Sequence, residues 1–294
     1  MAPRAPLPAD AAHPLRASLE RGDRSFARSR PALLQLLGAQ DLALLNEAVV
    51  AQVNGVIADL ATQIHALAPP GAGGADAIAQ RLRTDEAICG HCHALATEWT
   101  LALRLHEQQA IEPVLTPALQ ELVAQGEAGG GDLAIRALAA QARFAQAMRR
   151  MALPLSELPA ELFHDALVVG HADAADGPGP AEAGARAAYD ESETRLALLG
   201  RLAGRAPQPD LAAAGLALWL SSLALQSGQS RDRLACAAAD PHAGRLLLTL
   251  RAVGLAPAEA ERQVAMLHPN AAIPPGLHDI GTREAAQWLA EAGG

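Results

Sequence analysis

The sequence predicts an all-α protein, an irregular stack of helical hairpins forming one or two packed helical subdomains. Three observations lead there. Half of the 294 residues are hydrophobic, yet there are only three Trp, three Phe and one Tyr. Most of the apolar remainder is Ala and Leu, which favour helix, whereas β-branched and aromatic residues favour strand. Apolar residues also recur at spacings of three and four, between residues that start and stop helices.

The elements follow in order. Residues 1–30 carry Arg4, Arg16, Arg21, Arg24, Arg28 and Arg30 against Asp10, Glu20 and Asp23. They are expected to form a basic arm, largely disordered, with short helices near Pro14 and Pro31. The first strong helix starts at Asp41. Leu42, Leu45, Val49, Val53, Val56, Leu60, Ile64 and Leu67 form one unbroken stripe. Gly55 lies off that stripe and costs about 1 kcal/mol relative to Ala, so it implies close approach of a neighbouring segment.

Pro69 to Gly74 breaks the chain, and a short helix follows over 76–82. Thr84 is the expected cap of the next helix, with Asp85 and Glu86 in its first turn, running to Gln109. Thr116 with Pro117 opens a helix that stops at Gly126. After a Gly link, Asp132 caps a helix reaching Met151, with Leu133, Ala137, Ala140, Phe144, Met148 and Met151 on one face. Pro159 to Val169 forms another helix, closed by Gly170. Residues 171–180 are small, acidic and rich in Pro and Gly. They are the expected linker between an N-terminal helical domain (31–170) and a C-terminal one (181–294). Helices are expected there over 181–203, 210–226, 230–239, 240–253, 257–268 and 282–292. No regular repeat is legible.

Composition excludes several functions. The chain has no lysine: all twenty-three basic residues are Arg. Schiff-base chemistry, a P-loop and a protein kinase site are therefore excluded. The net charge of −9 disfavours nucleic acid and anionic lipid as partners. No signal-peptide core and no apolar run of about 20 residues occurs. With three Cys and no export signal, a reducing cytoplasm is the expected location.

One formal motif stands out, Cys89-Gly90-His91-Cys92-His93, which matches the Cys-x-x-Cys-His pattern of haem attachment. Haem is disfavoured, because attachment follows export and few aromatics are present to wall it. On a helix, Cys89, Cys92 and His93 fall within an arc of about 100°. They are the candidate ligands for zinc, with His106 or Cys236 as a fourth. The favoured reading leaves the protein without metal or cofactor: Ile88, Cys92, Leu95, Trp99 and His106 share one face, which makes Cys92 a small core residue.

Arg136, Arg143 and Arg150 recur every seven residues and share a face suited to an acidic protein partner. The segment around Gly254 has the outline of a helix-turn-helix, but its second helix carries Glu259 and Glu261 against Arg262, the wrong balance for facing phosphates. No catalytic motif occurs. His164-Asp165 and His278-Asp279 are adjacent pairs that diverge on a helix and make no dyad alone.

The run from Gln141 through Phe144, Met148, Pro154 and Pro159 to Leu167, and the run His91-Cys92-His93-Ala94-Leu95-Ala96 with Glu98-Trp99, resemble an uncharacterised Ala/Leu-rich helical protein family of GC-rich proteobacteria. The resemblance implies a bacterial, cytoplasmic helical protein and carries over no functional residue. The expected function is macromolecular binding by a non-enzymatic adaptor or regulatory scaffold, with a protein as partner or a second copy of the chain. A zinc-dependent sensor or enzyme and a transcriptional regulator are the alternatives.

Overall fold

A computed structural model describes residues 14–27, 47–68, 73–126, 130–172, 179–205, 210–274 and 276–292. These residues are helical apart from turns and short connections, and no strand occurs among them. The helices are α1 (14–27), α2 (Glu47–Leu67), α3 (Ala75–Thr84), α4 (Glu86–Gln109), α5 (Pro117–Ala124) and α6 (Gly131–Arg149). A 3₁₀ turn at Leu155–Glu157 leads into α7 (Ala160–Gly170). Then come α8 (Pro180–Asp190), α9 (Arg195–Ala203), α10 (Leu211–Ser227), α11 (Arg231–Ala239), α12 (Gly244–Ala252), α13 (Pro257–Leu267) and α14 (Thr282–Glu291).

Two apolar cores form, and two helices run through both. The first gathers the α2 stripe with Ile78, Leu82, Leu158, Phe163 and Tyr189. The second surrounds α10 with side chains from α9, α12, α13 and α14. α4 gives Ile88, Cys92, Leu95 and Trp99 to the first, and Leu101 and Leu105 to the second. α6 divides likewise, with Phe144 and Met148 on one side, Leu133 and Ala137 on the other. Periodicity of 3.6 residues makes this natural, since a long helix turns different faces to neighbours at its two ends.

Several expectations shift in position. Residues 14–27 of the expected arm form a docked helix: Leu15 and Leu19 are buried in the second core. The expected helix near Pro31, Leu42, Leu45, and residues 173–178 of the 171–180 linker lie outside the described residues. At the start of that linker, His171 Nδ1 meets the buried Glu182 carboxylate at 2.9 Å, and His171 is itself half-buried. Tyr189 beyond it stacks on Phe163 at 4.0 Å, so α8 packs with the first core. The helix expected over 181–203 is two. The polar run 190–194 interrupts it, and the Thr194 hydroxyl accepts from the Ala197 N–H to start α9. Asp85, not Thr84, caps α4; the Thr84 hydroxyl donates back to the Arg81 carbonyl. No single described helix is long and apolar enough to cross a membrane; α10 with α11 reaches that composition together but bends by 119°.

Gly55 has the packing reason its cost demanded. A Cβ there would run into the Cβ of Met151, and would lie 3.1 Å from the Met151 carbonyl oxygen. Met151 itself sits at φ 53 in the turn after α6. Gly55→Ala gains helix propensity but overpacks this contact, at about 1–3 kcal/mol. The melting temperature is expected to fall by a few degrees. A rise would show that α2 and the Met151 turn are not in contact.

Candidate functional site

The middle of α4 carries the polar groups that sequence spacing did not connect. His91, Glu98 and Leu105 recur every seven residues on one buried face of the helix. A helix repeat of 3.6 residues brings positions seven apart nearly into line. Glu98 is 1 % exposed and lies between two arginines. Its carboxylate accepts from Arg195 at 2.9 and 3.1 Å, and from Arg231 at 2.7 and 2.8 Å. Arg195, the first residue of α9, also donates to Gln141 Oε1 at 3.0 Å and stacks over Phe144 at 3.6 Å. Arg231, the first residue of α11, donates to Ser221 Oγ at 3.0 Å. Burial alone would push the Glu98 carboxyl up. The guanidiniums of Arg195 and Arg231 override that and hold it well below the ordinary carboxylate range. The triad joins α4, α6, α9, α10 and α11 at the border of the two cores.

Two turns earlier on α4, His91 faces the start of α11. Its Nδ1 lies 2.8 Å from Asp232 Oδ2, and the ring is 2 % exposed. Its Nε2 is buried and has no hydrogen-bond partner in the protein. Two residues on, His93 Nδ1 lies 3.9 Å from Cys236 Sγ, one turn beyond Asp232 on α11. A cleft of about 560 Å³ opens here between α4 and α11, walled also by the start of α7, Phe26 of α1 and Arg233.

The Cys-x-x-Cys-His run is divided by this geometry. Cys89 and Cys92 point into the first core, at 2 % and 0 % exposure. Burial above all, then the nearby Cys89 and Asp232, pushes the Cys92 thiol far up. It stays protonated, and only a thiolate serves as nucleophile or metal ligand. His93 leaves the pair and meets Cys236. Among the described residues, no group of three or more His, Cys, Asp or Glu side chains is placed to hold a metal ion. His106 leaves the Cys92 face as well: it is 46 % exposed and 3.6 Å from Glu112.

The arginine row is also divided. Arg136 pairs with Asp132 at 3.1 Å and with Glu193, which Arg201 shares. Its charge is spent on its own neighbours. Arg143 and Arg150 remain exposed. They have no acidic partner among the described residues. Around Gly254, α12 and α13 do form a hairpin, with Gly254 at φ 94. Arg245, Leu246, Leu247 and Leu250 of α12 are buried. On α13, Arg262 is held by Glu259 at 2.6 Å and by Asp210 at 3.1 Å. No basic surface is left there for phosphates.

The chain matches no family model, no curated protein and no solved structure.

Proposed function

We propose that the protein is an adaptor or regulatory scaffold that binds an acidic protein partner through the outer face of α6. One observation carries the reading: an exposed stripe on α6 mixes uncommitted arginine with apolar surface. Ile135, Ala139, Arg143, Gln146 and Arg150 are all exposed along it. Ile135 at its start is 53 % exposed, and Met151 at its end is 45 % exposed. They are two of the five large hydrophobic side chains left exposed among the described residues. Protein interfaces combine apolar anchors with Arg, whose planar fork grips carboxylates at two points. The zinc reading draws no support from two thiols sealed in a core, and the regulator reading none from the acid-paired Arg262.

The double reversal Arg143→Glu with Arg150→Glu tests this. Wild type and variant are used in parallel to capture partners from the source cell, and the captured protein is then titrated against each. The variant is expected to bind at least about tenfold more weakly, a loss of about 1.4 kcal/mol or more. Its melting temperature should stay nearly unchanged, because exposed charges contribute little to stability. Undiminished binding of the same partner would place the interface elsewhere, with the 181–294 half next to be searched.

A further inference from the structure

We propose that the cleft between α4 and α11 is a binding site for a small hydroxycarboxylic acid. The ligand hydroxyl donates to His91 Nε2, and its carboxylate accepts from Arg233. This site is separate from the α6 face and does not depend on it.

The hydroxyl half of the recognition comes from His91. The Asp232 carboxylate only accepts hydrogen bonds, so it takes the hydrogen on Nδ1 at 2.8 Å. With that hydrogen on Nδ1, Nε2 is the ring position left to accept a hydrogen bond. A buried lone pair without a partner costs free energy comparable to a lost hydrogen bond. His91 is 2 % exposed, and its Nε2 has no partner in the protein. The group that satisfies it is a donor, an O–H or N–H. A metal ion is a poor fit, since no third ligand stands near enough to complete a site among the described residues. An acceptor such as a carboxylate oxygen is repelled at this atom.

The carboxylate half comes from Arg233, on the same cleft wall. Its Nη2 donates to the Ala292 carbonyl at 3.1 Å, but its Nε–H is buried and lacks a partner in the protein. The nearest acid is Asp23, but both Asp23 oxygens are taken by Arg245 at 2.7 and 2.8 Å. Arg233 reaches Asp23 only at 4.0 Å. Burial and then the neighbouring Arg245 both weigh against its charge, so its guanidinium is pushed down from its usual value. An incoming carboxylate adds to the weak counter-charge that Asp23 gives at 4.0 Å.

The remaining wall adds to that preference. Arg231 lines the cleft and shares the single Glu98 carboxylate with Arg195, so that triad carries a net positive charge, set against the Asp232 and Glu161 carboxylates on the same wall. The N-terminus of α11 opens at the same place, and helix N-termini favour anions. Phe26, Leu162 and Leu196 give an apolar side for the ligand's carbon skeleton. Clefts of a few hundred Å³, mostly apolar with a few converging polar groups, are the usual form of small-molecule sites.

Three compounds on the wild-type protein form the test: mandelate, phenylacetate (which lacks the hydroxyl) and benzyl alcohol (which lacks the carboxylate). Binding is followed by the ring resonances of His91 in protein carrying isotope-labelled histidine. Mandelate is expected to bind at least about tenfold more tightly than either analogue, and to shift the His91 ring. Arg233→Gln should bring mandelate to the affinity of benzyl alcohol. His91→Phe, which keeps the ring buried, should bring it to that of phenylacetate. Equal affinities for the three compounds on the wild-type protein overturn the proposal, whatever the variants do. So does mandelate binding that leaves the His91 ring unshifted, or no binding at all.

Discussion

Glu98→Ala is expected to cost about 3–5 kcal/mol, enough to leave much of the protein unfolded. The loss comes less from the attraction removed than from the charge left behind. Arg195 is 2 % exposed and keeps only Gln141 and the Phe144 ring as partners for its guanidinium. Replacing Glu98, Arg195 and Arg231 together by Leu and Met is expected to be far milder, because buried ion pairs exchange for apolar packing at little net cost. Denaturant unfolding of the single and triple variants checks both. A single-variant loss under about 1 kcal/mol would mean that the triad is solvated. The pH profile carries a second mark. The folded Glu98 carboxyl is held below its unfolded value. Its stabilisation is therefore complete above the unfolded value of about 4.3 and is lost as pH falls through the folded one. Below about pH 4.3 the wild-type stability should slope downward, and the triple variant should lose that part of the slope.

Gly215→Ala is the second large effect. Gly215 sits at φ 69, ψ 164 inside α10, where it breaks the run into a first turn and a long helix. That backbone region is essentially restricted to glycine, and a forced side chain costs about 1–3 kcal/mol. A Cβ would also meet the Thr116 methyl, with the Glu112 carbonyl oxygen 3.3 Å away. Overpacking adds about 1–3 kcal/mol. The expected sum is about 2–6 kcal/mol in urea unfolding. Thr116→Ser, which deletes the methyl, should recover the packing share and leave the backbone strain, a coupling visible in a double-mutant cycle. Gly215→Ala at less than about 1 kcal/mol would mean that the kink is absent.

What the sequence made legible was local. The α2 stripe from Val49 to Ile64 is buried as its spacing requires. Asp210 and Ser230 cap the helices they precede, and Pro117 and Pro257 open theirs. Cys92 occupies the core position that its spacing from Ile88 and Leu95 implied. What failed needed partners far along the chain. Arg136 looks like part of a basic row until Glu193, 57 residues away, joins it. Glu98 meets Arg195 and Arg231 at separations of 97 and 133 residues, and His91 meets Asp232 at 141. No helical periodicity links such positions. The one local signal was an acid and a histidine on a face that also buries Leu105. The Gly215 kink had only its glycine to announce it, inside an Ala and Leu run that reads as continuous helix.

The docking of α1 sets an order of events in the cell. Asp23 pairs with Arg245, and the Ser18 hydroxyl donates to the His242 carbonyl, across 222 and 224 residues. Gly244 lets the backbone of α1 come so close that a Cβ there would stand 2.7 Å from the Leu19 nitrogen. A ribosome adding about 5–20 residues per second needs roughly 10–45 s to travel from one side of this contact to the other. For most of that interval Leu15 and Leu19 are outside the exit tunnel while their seat has not been made. The second core therefore closes late in synthesis, the opposite of a domain that folds as its first residues appear. A nascent chain stalled before residue 240 should leave α1 open to proteases and chaperones, and the released full-length chain should have it covered.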